Sequence, residues 1–253
     1  MPPVLRNLSI RAGFGATGAI YFALGIVTAR VAFLGTRKKE AGIPGALRFL
    51  LAQPYGDLLL GAVVAGLAAI AVVHLYEAAG KKRKGLFRLG LAINGIGYLT
   101  LAWAAARLLF HVETGSGSLR KTGVTWLLAE SWGAAVLALV GLIVAGGGLW
   151  EAWQGVRGGL PLRKDLLPRR LVRILAGIAR FGLIARGIVL CALGYFICRA
   201  AVEGDPSRVQ SMGGALRTFS HATFGPALMG TIAFGLAAYG VYLWTLMLLK
   251  RRV

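Results

Sequence analysis

Six long runs of apolar residues alternate with short, mostly basic stretches along the chain. Five of these runs contain no Asp, Glu, Lys or Arg; they are residues 12–29, 58–76, 89–106, 131–150 and 218–249. The remaining run, 181–198, contains one charged residue, Arg186. Because about 17–25 mostly apolar residues suffice to cross a bilayer, the pattern predicts an all-α, polytopic membrane protein with six transmembrane helices.

The first, third and fifth runs begin with the same arrangement of arginine and glycine. In the first run it reads Arg11, Gly13, Gly18 and Arg30. The same spacing returns 77 and 169 positions later as Arg88, Gly90, Gly95 and Arg107, and then as Arg180, Gly182, Gly187 and Arg199. An aromatic residue followed by glycine precedes each of the other three runs, at Tyr55, Trp132 and Phe224. Repetition in register predicts three copies of one two-helix unit.

The repeats predict the organisation of the chain. Repeat 1 is residues 1–80, repeat 2 is 81–157, a basic linker is 158–172, and repeat 3 is 173–253. Each unit is expected to be a helix, an outer loop with a short amphipathic surface helix, and a return helix. The surface helices are expected within 43–53, 123–131 and 212–223. Since all three units share one orientation, a pseudo-threefold axis along the membrane normal is expected.

Composition and charge agree with a membrane location. The chain is 57% hydrophobic with a mean hydropathy of +0.70, and its 15% of charged residues is below the roughly 25% of soluble domains. The net charge is +20, with 17 basic and three acidic residues on the predicted side of the termini and 11 and six on the other. The positive-inside rule places both termini in the cytoplasm. Basic residues clustered at helix ends favour anionic lipid headgroups, rather than nucleic acid, as partners.

The triplicated Arg-x-Gly entry and the aromatic–glycine pairs resemble the bacterial membrane family known as domain of unknown function 1206. The resemblance covers nearly the whole chain and implies three tandem pairs of transmembrane helices in the bacterial cytoplasmic (inner) membrane. It brings no established activity and no catalytic residues. The middle copy departs most from the repeat, with Ala138 where the other copies have Gly61 and Gly230.

Two sets of arginines mark the ends of the first helix of each repeat. The entry arginines are Arg11, Arg88 and Arg180, and the exit arginines, 19 residues later, are Arg30, Arg107 and Arg199. At about 1.5 Å per residue the sets are about 28 Å apart, close to the hydrocarbon thickness. They are predicted either to anchor in headgroups or to bind phosphate or carboxylate groups of lipids or solutes. Small residues on the same helix face, such as Gly18 and Gly25, are predicted to pack against a neighbouring helix.

Arg186 lies six residues inside its helix, at the position of Thr17 and Asn94 in the other copies. A charge at this depth either faces the bundle interior or a wet cavity, or extends to the headgroups. Glu151 can accept a hydrogen bond or act as a proton site, and it is interpreted as an interfacial hydrogen-bond acceptor. His74 and Glu77, three residues apart with no third ligand in sight, are interpreted as an interfacial pair. No catalytic, metal or cofactor site is predicted.

The sequence therefore predicts a non-catalytic structural, accessory or lipid-interacting membrane protein, with membrane lipids as partners and a protein partner left open. The alternative is a small carrier or channel for an anionic or amphipathic solute. That alternative rests on analogy with mitochondrial carriers, which also contain three two-helix repeats. Their proline–acid–basic signature is missing from this sequence.

Overall fold

The computed structural model describes residues 3–34, 42–80, 85–112, 124–158, 168–220 and 225–249, and these contain helices and connecting turns but no strand. Nine α-helices run through the described ranges. They are α1 (Pro3–Leu34), α2 (Ile43–Leu51), α3 (Gly56–Ala79), α4 (Gly85–Leu109), α5 (124–129), α6 (Gly133–Arg157), α7 (Arg169–Glu203), α8 (Met212–Ser220) and α9 (Gly225–Leu249). Of these, α1, α3, α4, α6, α7 and α9 are long and apolar enough to cross a membrane. The prediction of six transmembrane helices is confirmed.

Helix α7 begins at Arg169, inside the stretch predicted as the linker, and most of that linker, 159–167, lies outside the described residues. With 35 residues, α7 is about 52 Å long at 1.5 Å per residue. That length exceeds a hydrocarbon core of about 30 Å. One end of α7 therefore extends into the headgroup region or beyond it.

The short helices α2, α5 and α8 lie where the outer loops were expected to contain surface helices. The glycine of the aromatic–glycine pair allows each return helix to begin within a few residues of the short helix before it, α3 after α2 and α6 after α5. A Cβ on Gly56 would overlap the carbonyl of Leu51, and a Cβ on Gly133 would overlap that of Leu127. Only glycine permits this close approach, so the pair fixes the angle between surface and return helices. The third pair begins at Phe224, which lies outside the described residues.

The first helix of each repeat packs through its predicted glycine face against the second helix of another repeat. The contacting pairs are Gly18 with Gly240, Gly95 with Ala71, and Gly187 with Gly148. A Cβ on the first-named glycine of each pair would lie 2.6 to 3.3 Å from the carbonyl oxygen of its partner. The three partners are themselves 77 and 169 positions apart. The interfaces α1–α9, α4–α3 and α7–α6 therefore share one register, and small residues allow close van der Waals packing in each.

Within a repeat, the two long helices pack together in repeats 1 and 3. In repeat 1 a Cβ on Gly66 would lie 2.6 Å from the carbonyl oxygen of Ala12 and 2.8 Å from the Cβ of Ala16. In repeat 3 the matching glycine, Gly235, lies against Ala185. In both repeats a glycine of the return helix therefore allows close contact with the first helix.

Repeat 2 lacks this glycine. Its matching residue is Ile143, and the positions of Ala12 and Ala16 are taken by Leu89 and Ile93. In the part of the chain that the structure describes, α4 and α6 form no extensive contact. Repeat 3 packs with a bulky Phe181 at the position of Leu89, so the separation is attributed to Ile143 and Ile93 in place of the glycine and the alanine that both packed hairpins share.

The six long helices therefore follow the packing order α4–α3–α1–α9–α7–α6. A closed ring would need a further contact between α6 and α4, the two helices of repeat 2. A threefold arrangement requires an interface that recurs between repeats, and the structure has one. The arrangement is interrupted at repeat 2, where α4 and α6 do not pack together. The pseudo-threefold axis itself stays a prediction.

Candidate functional site

Arg186 of α7 lies in a cluster of polar side chains drawn from four helices. Its Nη1 donates a hydrogen bond to Oε1 of Glu151 on α6, and its Nε donates to the hydroxyl of Tyr21 on α1 at 2.8 Å. The guanidinium carbon lies 5.0 Å from the ring centre of Tyr239 on α9 and 5.4 Å from that of Tyr21. The charge is thus paired within the chain, and the cluster joins helices of all three repeats.

The Arg186–Glu151 pair is largely buried, so its two charges depend on each other. Each side chain is 22% exposed, and a charge held this far from water is costly unless it is paired. Glu151 Oε2 is buried and has no hydrogen-bond partner among the described residues. Removal of either member would leave an uncompensated charge, so the pair is expected to fix α6 against α7.

The repeat equivalents of Arg186 do not all join the cluster. Thr17 is buried, whereas Asn94 is exposed and donates a hydrogen bond to the carbonyl of Gly90 in its own helix. Tyr98 of α4 is a neighbour of Thr17 and interacts electrostatically with Tyr21 and Arg186. Tyr98 and Tyr21 are 77 positions apart, so one repeat position supplies both tyrosines.

The entry arginines contact the ends of neighbouring helices. Arg11 Nε donates to the carbonyl of Met247 at 2.8 Å, and Arg88 Nε donates to that of Ala78 at 2.8 Å. The guanidinium of Arg180 lies against Gly158, the residue that follows α6. The last carbonyls of a helix lack partners within that helix and carry partial negative charge. An arginine is therefore a suitable cap, and each entry arginine links two repeats.

The exit arginines have different surroundings. Arg199 forms an ion pair with Glu203, one turn further along α7, at 2.6 Å. Arg30 is exposed and Arg107 is partly buried. The structure does not bring these three side chains to one site, and their predicted lipid or anion contacts stay a prediction.

His74 and Glu77 do not pair with each other. His74 Nδ1 lies 2.8 Å from the carbonyl of Ile70, and Glu77 is 3.9 Å from Arg6. No group of three or more His, Cys, Asp or Glu side chains suited to a metal ion occurs within the described ranges. The cysteine thiols of Cys191 and Cys198 point to carbonyls of α6, at 3.6 Å each.

A basic patch lies where α6 ends and α7 begins. The end of α6 lies beside Arg180, and the first turns of α7 extend past it by up to about 16 Å at 1.5 Å per residue. The patch contains five exposed arginines on these two segments: Arg157, Arg169, Arg170, Arg173 and Arg180. Arg157 also lies over the ring of Trp153, 3.6 Å from its centre. We call this end of the bundle, where the entry arginines also lie, the basic end.

The separation of α4 and α6 leaves both facing surfaces uncovered. Ile93 of α4 is 56% exposed, whereas the equivalent Ala16 and Ala185 are 6% and 4% exposed. The same holds on α6, where Val140 is 43% exposed and the equivalent Val63 is 4% exposed. We call these two uncovered surfaces together the lateral cleft; their exposed residues include Ile93, Gly97, Thr100 and Ala104 on α4 and Val140, Ile143 and Gly147 on α6.

A second apolar space lies between α3 and α4. This groove of about 490 Å³ is lined by Val64, Leu99, Thr100, Ala102, Trp103 and Ala106. Val64 is the counterpart of Gly141 and Ala233 in the other repeats. On the predicted packing face of α4, Ala102 is buried and Ala106 is partly buried.

The sequence indicated Arg186 but not its partners. Glu151 was interpreted as an interfacial acceptor, and Tyr21, Tyr98 and Tyr239 were not singled out. One signal was available: Arg186 and Glu151 are opposite charges, Arg186 six residues after Arg180 and Glu151 six residues before Arg157. Intramembrane charges commonly pair with one another.

The comparisons with known proteins agree with the repeat structure. The model of the family described as Domain of Unknown Function (DUF1206) matches residues 12–81, 89–158 and 181–246, and each match begins just after an entry arginine. The chain is 29% identical over 241 residues to "Uncharacterized protein YxxB" of Bacillus subtilis (strain 168), covering 92% of this chain and 86% of that protein. No solved structure matches the chain. With three tandem matches over most of its length, the chain belongs to the DUF1206 family.

Proposed function

We propose that this protein is a non-catalytic, lipid-interacting protein of the bacterial cytoplasmic membrane, with both termini in the cytoplasm. The observation that carries the proposal is the basic patch. Exposed arginines at a membrane surface attract anionic phospholipids, at about 1 kcal/mol for each basic residue near the surface. The basic end has the higher density of Lys and Arg, as expected of a cytoplasmic side.

The state of the intramembrane charges also favours this function over ion transport. Arg186 is neutralised by Glu151 and hydrogen-bonded to Tyr21. A paired charge that joins three helices stabilises the bundle and is less suited to bind and release an anion. The entry arginines likewise cap helix ends.

The proposal is tested by measuring the preference of spin-labelled phosphatidylglycerol over phosphatidylcholine for the protein in bilayers. The wild type should prefer the anionic lipid, and Arg169→Gln/Arg170→Gln should lower the preference severalfold. Salt near 1 M should lower it too, because the screening length falls to about 3 Å. A matched control, Arg30→Gln/Arg48→Gln, removes two exposed arginines from the opposite end and should have a smaller effect. Equal association of both lipids with the wild type would contradict the proposal.

A carrier is the second candidate, and one observation favours it: the side chains of Arg186 and Glu151 are each 22% exposed and so are not fully sealed within the bundle. Water in the cleft would let a hydrophilic thiol reagent modify Val140→Cys in a Cys191→Ala/Cys198→Ala background. Rapid modification would support the carrier, and an inert thiol would support lipid interaction. Gly18, Gly95 and Gly187 are unsuited to this test because they are packed between helices.

A further inference from the structure

We infer that the groove between α3 and α4 holds one acyl chain of a bound anionic phospholipid, with the phosphate of that lipid at Arg107. The inference rests on the proposed function, lipid interaction, and deepens it by naming one lipid and its site. The site lies at the end of the bundle opposite the basic end, because Arg107 is 19 residues along α4 from Arg88.

The groove has the size and the chemistry that suit a hydrocarbon chain. Its volume of about 490 Å³ falls within the range of about 300–1,000 Å³ that is usual for ligand pockets. It lies between membrane-spanning helices, and five of its six lining residues are apolar. The sixth, Thr100, donates its hydroxyl to the carbonyl of Gly97 in its own helix, so this hydroxyl is satisfied within α4. Such a wall takes an acyl chain in preference to water.

The interface that contains the groove differs from its counterparts at one small residue. Ala102 lines the groove, and its counterparts in the other repeats are Gly25 and Gly194. A Cβ on Gly25 would lie 2.7 Å from the carbonyl oxygen of Ala233, and a Cβ on Gly194 would lie 2.6 Å from that of Gly141. Ala102 has a Cβ, and real Cβ atoms do not come this close to another atom. Helix α4 therefore cannot approach α3 here as closely as α1 approaches α9 and α7 approaches α6.

Arg107 lies at the mouth of the groove, on the face of α4 that lines it. At about 100° per residue, Arg107 is about 20° round the helix from Thr100 and about 40° from Trp103, both of which line the groove. Arg107 also directly follows Ala106, the last lining residue of α4. Helical side chains lean toward the N-terminus of their helix. The side chain of Arg107 therefore leans toward Trp103 and the groove.

The phosphate of an anionic phospholipid complements this cation. Arg107 is partly buried, whereas its counterpart Arg30 is exposed. Arg107 also interacts within the chain, and a guanidinium has several N–H donors, so it can bind a phosphate in addition. Trp103, one turn away, is 65% exposed, and tryptophan is enriched at the membrane–water interface. The mouth of the groove thus offers a cation and an aromatic ring where a headgroup meets its chains.

Two variants and their matched controls test the site. Arg107→Gln removes the cation, and its control is Arg30→Gln, at the equivalent position of repeat 1. Thr100→Phe/Ala106→Leu fills the groove. Its control is Gly97→Phe, because Gly97 is exposed on the same helix, does not line the groove, and a Cβ there would meet no atom within 4 Å.

The experiment counts phosphatidylglycerol per chain by native mass spectrometry after delipidation in detergent. The wild type and both controls should each keep one molecule. Arg107→Gln should keep about fivefold less, the effect expected of one basic residue near the headgroups, and the filled variant should keep severalfold less. Equal retention by Arg107→Gln would overturn the inference, and so would a wild type that keeps no lipid or keeps phosphatidylcholine equally well. If the filled variant does not fold, the result for Arg107→Gln decides.

Failure of the inference and failure of the proposed function give different results. Arg169→Gln/Arg170→Gln changes the basic patch at the other end of the bundle, so it should lower the spin-label preference and still keep the bound lipid. Loss of the bound lipid from that variant would assign the lipid to the patch and overturn the inference alone. A wild type with no preference for the anionic spin-labelled lipid would reject the proposed function itself.

Discussion

Single substitutions should lower the stability of the protein most where they break the hydrogen bond between Arg186 and Glu151. Both partners lie within transmembrane helices, and Tyr21 contributes a further hydrogen bond. An unpaired buried charge commonly costs several kcal/mol. The partial exposure of both side chains places the expected cost at the lower end of that range.

Glu151→Gln is expected to lower the free energy of unfolding by about 3 kcal/mol, because it leaves Arg186 without its counter-charge. Adding Arg186→Gln should cost less than the sum of the two single changes, since the pair acts as a unit. Thermal unfolding in detergent measures both effects. Arg199→Gln is the control, because its pair with Glu203 is exposed to solvent and should contribute far less to stability. Additive losses at 151 and 186 would show that the two residues are not coupled.

The sequence identified the residue types at this site but not their association. Arg186 was recognisable as a charge within a transmembrane helix. Its three contacting side chains come from α1, α6 and α9, and the repeat spacing does not determine which helices become neighbours. Asn94 illustrates the limit: it occupies the position equivalent to Arg186, yet it bonds within its own helix.

At the scale of the helices, glycine position explains most of the packing. The three glycine interfaces between repeats were expected from the sequence as packing faces, and the structure confirms that role. The identity of the facing helix was not predictable, because a small-residue face fits any other small-residue face.

The aromatic–glycine pair gives an element-scale prediction. Gly56→Ala should lower the free energy of unfolding by about 3 kcal/mol, because the new Cβ would overlap the Leu51 carbonyl. Gly61→Ala in the same helix should change it by less than about 1 kcal/mol, since a Cβ there meets nothing within 4 Å. Chemical or thermal unfolding of the two variants provides the comparison. Equal losses would mean that glycine loss in α3 matters generally, without regard to the contact with α2.

The hairpin glycines give a second prediction. Gly66→Ile places in repeat 1 the residue that repeat 2 has at Ile143, and it should destabilise the bundle by about 3 kcal/mol because the Cβ would lie 2.6 Å from the Ala12 carbonyl. Ile143→Gly should cost only about 1 kcal/mol, the helix propensity difference. Unfolding measurements distinguish the two. A large loss at 143 would indicate that repeat 2 already depends on this side chain for packing.

At the scale of the whole molecule, the open packing order predicts which cysteine pairs form disulfides. In a Cys191→Ala/Cys198→Ala background, Ala16→Cys/Gly66→Cys should form a disulfide under mild oxidation once the hairpin widens by about 1 Å, because the Cβ atoms would otherwise lie 2.8 Å apart and a disulfide needs about 3.8 Å. Ile93→Cys/Ile143→Cys, the same pair of positions in repeat 2, should stay reduced. Gel mobility after oxidation reports the outcome. Efficient crosslinking in repeat 2 would show that α4 and α6 close together and that the lateral cleft is absent.

The sequence by itself determined the number of transmembrane helices, the threefold repetition and the small-residue faces, because these are properties of each segment. Hydrophobic length decides whether a helix can span a bilayer, and repeated spacing is visible without a fold. Only the tertiary structure decided which faces meet, how Arg186 is neutralised, and that repeat 2 stays open. These depend on contacts between distant segments: Ile93 of α4 and Ile143 of α6 stand where the other two repeats have an alanine and a glycine that pack together.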